Sequence, residues 1–111
     1  MENNQAPSVM AKRLEAEVRM ILRPTDVYKL GPDERETLAN LRQNLADARI
    51  YTTDYELLEI REDQSLNAKR AKHWLREARD DILSASQHDI FSAIDVAHLS
   101  AQIEQIIGNL N

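Results

Sequence analysis

At 111 residues, with a composition 42% apolar and 30% charged, the chain has material for one small domain around one core. It holds no cysteine, which excludes disulfides, thiolate metal sites and cysteine nucleophiles, and its two glycines and three prolines are too few for the turns of an all-β fold. Nineteen acidic residues against 14 basic ones give a formal charge of −5, which disfavours nonspecific association with phosphate backbones.

In chain order, residues 1–7 read as a polar N-terminal tail without the basic and apolar regions of a signal peptide. No apolar run approaches the roughly 20 residues of a membrane span, so a cytoplasmic protein with no membrane partner is the simplest expectation. Ser8 is placed to cap a first helix reaching about Arg23, with Met10, Leu14, Val18 and Ile21 as its inward row and Leu22 beside it. Pro24 ends that helix, because proline lacks an amide proton and disfavours α geometry in the residue before it. The connector Pro24–Pro32 is expected to hold a short turn over Thr25–Leu30, with Val27, Tyr28 and Leu30 tucked against the core.

Gly31 and Pro32 mark the next start, with Pro32 near the first helical position and Asp33, Glu34 and Glu36 in a favourable first turn. The spacing predicts a second helix from Pro32 to about Arg61, continuous through Thr52-Thr53-Asp54. Leu38, Leu41, Leu45, Ala48, Tyr55 and Leu58 make its inward row, with Tyr51 or Thr52 filling the gap. A second row, Ile50, Leu57 and Ile60, falls on nearly the opposite side. Glu62–Ser65 reads as a polar turn, with Asp63 or Ser65 capping a third helix whose inward row is Ala68, Ala71, Leu75, Ala78 and Ile82; Trp74 and Leu66 fill space at its side. This helix fades over Ser84–His88. Asp89 is expected to open a fourth helix that ends near Gly108, with Val96, Leu99, Ile103, Ile106 and Leu110 in steps of 3 and 4, and Ile90, Phe91 and Ile94 in addition.

These elements predict an all-α fold, an antiparallel bundle of about four helices in a single domain over 1–111. Apolar residues exceed one stripe on helices two and four, and the surplus reads as an interaction surface completed by dimerisation or by another protein. Its residues are Ile50, Leu57 and Ile60 together with Val96, Leu99, Ile103 and Ile106. The expected function is therefore that of a small non-enzymatic adaptor or regulator needing no cofactor.

Two further patterns bear on function. Glu56 and Glu59 are three residues apart on helix two, and Glu77 and Asp80 three apart on helix three. This E-x-x-E then E-x-x-D pattern resembles that of the MazG-type nucleotide pyrophosphohydrolases, which are all-helical. The resemblance implies four carboxylates that bind Mg²⁺ and orient water against a nucleoside triphosphate. A turn centred near Gln64 would offset the pairs by roughly 12 Å along the helix axes, whereas one centred near Ala68 would align them.

The second pattern is basic. Lys69, Lys72, Arg76 and Arg79 form a stripe one residue off the inward row of helix three, with Arg70 and His73 nearby. It is suited to an acidic partner or, in a nucleic-acid-associated regulator, to a phosphate backbone. Asp95 and His98 place two potential metal ligands on one face, without a matching second pair.

Overall fold

The first residues of three helices carry their own start signals. The computed structural model describes residues 6–57 and 61–110, leaving aside the side chains of 27, 61 and 62. Pro7 and Pro32 occupy the first positions of α1 (Pro7–Leu22) and α2 (Pro32–Leu57), where the missing amide proton costs nothing. Ser92 caps α4 (Ala93–Gly108) in a reciprocal box: its hydroxyl accepts the Asp95 amide, and the Asp95 carboxylate accepts the Ser92 amide. Between α2 and α4 lies α3 (Arg61–Ser86), and a single 3₁₀ turn, Val27–Lys29, sits in the first connector. Among the described residues there are four α-helices and no strand.

Cross-helix contacts fix the directions. Glu56 reaches Ser8 and Arg49 reaches Glu15, so α1 runs antiparallel to α2 along its C-terminal half. Asn44 meets Asp81 and Arg70 lies over the Tyr51 ring, so α3 is antiparallel to α2. Glu17 meets His98 and Gln102, while Asn109 meets Met10, which sets α4 antiparallel to α1. Each helix packs on two neighbours in the closed order α1–α2–α3–α4. The result is an antiparallel four-helix bundle. Its core takes Leu14 and Val18 from α1, Leu41 and Leu45 from α2, Leu75 and Ile82 from α3, and Leu99, Ile103 and Ile106 from α4.

α2 passes unbroken through Thr52-Thr53-Asp54 because both threonine hydroxyls donate back to the Arg49 carbonyl instead of competing for caps. Several expectations need correction. Pro7 is a buried helical residue, so the N-terminal tail stops short of it. Ser8 donates to Glu56 rather than capping its own helix. Tyr28 is 89% exposed rather than tucked in, because the 3₁₀ turn closes on Asp26, whose carboxylate accepts the Tyr28 amide and whose carbonyl accepts that of Lys29. Finally, Glu62–Ser65 is helical, since α3 already begins at Arg61.

Asp89 does not open α4 either. It closes α3, at φ 60°, with its amide donating to the Ser86 carbonyl and the Ile90 amide reaching that of Ala85. This is the helix-ending motif that needs one residue in the left-handed region, and Asp is among the few non-glycine residues that tolerate it.

Candidate functional site

A helix in a closed ring of four has two neighbours, so it can bury a broad apolar arc without help from another chain. That is what happens to α4. Leu99, Ile103 and Ile106 are fully enclosed within the protomer, and Val96 is half-buried against the same core. The expectation that this row offers a surface is therefore corrected. The large apolar residue that α4 presents to solvent is Ile94, 81% exposed at its first turn.

On α2 the outcome differs. Ile50 is 48% exposed and Leu57 72% exposed, and the two stand seven residues apart on one line of the helix. Ile60 lies outside the described residues. The line is longer than those positions suggest. Ala39, Gln43, Ala46, Ile50, Thr53 and Leu57 follow one another in steps of 4, 3, 4, 3 and 4, all uncharged and all exposed or half-exposed. Thr53 has already committed its hydroxyl proton to the Arg49 carbonyl at 2.8 Å, so it adds no free donor to the row. This second seam was readable in the sequence as an uncharged 4-3 row in an otherwise charge-rich helix. It hides behind Ala, Gln and Thr, which hydropathy alone does not single out.

Of the E-x-x-E and E-x-x-D pattern, the three described carboxylates do not converge: Glu56 lies apart from Glu77 and Asp80. Glu56 is engaged at the start of α1, where its two carboxylate oxygens accept the Ser8 amide at 2.9 Å and the Ser8 hydroxyl at 2.5 Å. A carboxylate placed against the first-turn amides of a helix is favourable in its own right. Asn44 pairs with Asp81 across the α2–α3 seam, which puts Glu77 and Asp80 beside the middle of α2. At 1.5 Å per residue they are roughly 15 Å from Glu56 along that axis. Glu59 lies outside the described residues. Among the described residues no three His, Asp or Glu side chains gather closely enough to hold a metal ion.

The basic stripe follows the α4-facing shoulder of α3. Lys69 and Arg76 are exposed, Lys72 is half-exposed, and Arg79 pairs with Glu104 of α4. Arg79 is thus tied to the fold, and the outward charge of the stripe rests on the other three.

Two histidine–carboxylate contacts join helices. Nε2 of His98 is 2.9 Å from Glu17, whose same oxygen accepts the Gln102 amide at 2.7 Å. Nδ1 of His88 is 3.3 Å from Glu34, and the other oxygen of Glu34 accepts the Gly31 amide at the start of α2. Asp95, the proposed partner of His98 as a metal ligand, is spent on the Ser92 cap. The first contact ties α4 to α1, and the second ties the turn after α3 to α2. Asp81, half-buried, has its carboxyl raised above its ordinary value. Desolvation raises it, the hydrogen bond from Asn44 opposes the rise, and Glu77 and Asp80 add to it.

Among the described residues no helix is long and apolar enough to cross a membrane. No family model, no curated protein and no solved structure matches this chain.

Proposed function

We propose that this chain is a non-enzymatic interaction protein whose outer α2 face pairs with a second copy of itself. The observation that carries the reading is the exposed uncharged row from Ala39 to Leu57 on the side of α2 opposite the buried row. Alternating steps of 4 and 3 keep such a row facing one neighbouring helix at a shallow crossing angle, as in bundles and coiled coils. At 1.5 Å per residue the row spans about 27 Å, enough for two copies to share a symmetric interface. Ile50 and Leu57 are its large side chains. The small residues between them let a second helix approach.

Two acidic protomers repel, so pairing strengthens as salt screens their charge. Sedimentation over a wide concentration range tests the proposal. The expected result is a mass that rises with concentration, rises further with added salt, and returns to that of a monomer in Ile50→Asp/Leu57→Asp at unchanged helicity. A monomer at every concentration, or association that survives the double substitution, overturns it.

A further inference from the structure

Pro24 stops α1 at Leu22, while α2 runs on, antiparallel, past the point where α1 ends. One flank of α2 around Arg42 is therefore left without a covering helix. Two clefts of about 270 and 480 Å³ open there and share Arg19, Leu22 and Arg42. The larger is within the range of small-ligand sites, about 300–1,000 Å³, and the smaller lies just below it. Val18, Leu22 and Leu45 line the floor of the smaller, where the edge of the core comes near the surface at 2–4% exposure. Arg23 lines the larger, which makes three arginines around one opening.

That arrangement runs against the composition. The chain carries more acid than base, yet none of these three guanidinium groups forms an ion pair with a described carboxylate. The acidic residue in the lining, Glu15, is already held by Nε of Arg49 at 2.9 Å. Arg19, in the last turn of α1, and Arg23, its C-cap, are four residues apart, a spacing at which like charges repel. The C-terminal dipole of α1 offsets only about half a charge. A multiply charged anion supplies what the protein leaves out, and guanidinium groups match a phosphate with paired hydrogen bonds.

We infer that Arg19, Arg23 and Arg42 form a receptor for a phosphate monoester carried on a small apolar body. The arginines take the phosphate oxygens, and the body lies on the floor of Val18, Leu22 and Leu45. The site is on the α1 side of α2 and does not rest on the pairing proposed above.

The test is an NMR titration of the full chain with phenyl phosphate, inorganic phosphate and, at matched ionic strength, chloride. Saturable shifts of the backbone amides of 18–23, 25 and 42–45 are expected with both phosphates, with phenyl phosphate the tighter, and none with chloride. R19Q and R42Q should each weaken binding roughly tenfold, the loss of one charge-assisted contact, at unchanged helicity. R76Q, on α3, should bind as the parent does. Vesicles containing phosphatidic acid distinguish a lipid headgroup from a free ester. Vesicle binding that R42Q abolishes keeps the site and assigns its phosphate to lipid, whereas vesicle binding that R42Q leaves intact counts against the site. Unsaturable shifts, a response matched by chloride, or equal binding by R42Q and the parent overturns the inference.

Discussion

Where α2 meets α3, the inward row of α3 is mostly small: Ala68, Ala71, Ala78 and Ala85 alternate with Leu75 and Ile82. Where α1 meets α4, the rows are large, with Met10, Leu14, Val18 and Leu22 on one helix and Leu99, Ile103, Ile106 and Leu110 on the other. Alanines let two axes approach closely, so the α2–α3 pair gains stability from proximity along its length. The α1–α4 pair gains it by filling volume. One seam should therefore resist deletion poorly and the other should resist addition poorly.

The largest effect is expected on the voluminous side. Ile103 is fully enclosed, and Ile103→Ala should cost about 2–5 kcal/mol, a large part of the roughly 5–15 kcal/mol that holds a domain of this size. Chemical denaturation measures it directly. A cost under about 1 kcal/mol would mean that the α1–α4 seam collapses around the deletion and is less tightly filled than described.

Next comes the reverse change on the close side. Ala78→Leu should cost about 1–3 kcal/mol by forcing α2 and α3 apart, while Ala101→Leu on the exposed side of α4 should stay within about 0.5 kcal/mol. Equal effects at the two alanines would remove the distinction between the seams.

Both seams were legible in the sequence, since every residue of the predicted α3 row lies in the core and so do Met10, Leu14, Val18, Leu38, Leu41 and Leu45. Periodicity reports such rows because burial on one face is what selects them. Joints were harder to read. Asp89 looked like a helix start because Asp favours caps, and the same short polar side chain also tolerates the left-handed conformation that ends a helix. The Ser92-x-x-Asp95 box was the signal that places the true start.

Sites were harder still. Sequence spacing puts Glu77 and Asp80 near Glu56 only under one choice of turn, and the cross-helix contacts set another register. Arg19 and Arg23 form a visible pair, but Arg42 joins them only once the direction and offset of α1 on α2 are known. The row on α4 reads as a surface in sequence because an apolar arc does not say how many neighbours will cover it.

The joint between the seams offers a smaller effect of opposite sign. Asp89→Gly removes the steric penalty of a side chain at φ 60° and should raise stability by about 0.5–1 kcal/mol, read as a higher thermal midpoint. An unchanged or lower midpoint would mean that the Asp89 side chain contributes more to this turn than its backbone strain costs.

The smallest effect sharpens the account of the close seam, because Asp81 is a carboxyl at its edge. Burial raises its pKa above the ordinary value of 3.8 despite the 2.6 Å hydrogen bond from Asn44, and Glu77 and Asp80 push the same way. An acid that binds its proton more tightly when folded opposes folding in its charged form. That burden is complete above the folded pKa and is relieved as the pH falls toward 3.8, the reverse of a carboxylate held in an ion pair. Asp81→Asn keeps an oxygen for the Asn44 amide and removes the charge. The variant should therefore melt slightly above the parent at pH 7, by no more than about 0.5 kcal/mol for a partly exposed position, and the gap should close as the pH is lowered toward 4. Paired thermal melts across that range isolate Asp81 from the other carboxyls, which titrate in both proteins. A gap that stays constant with pH would place the cost of Asp81 in its packing against α2 rather than in its charge.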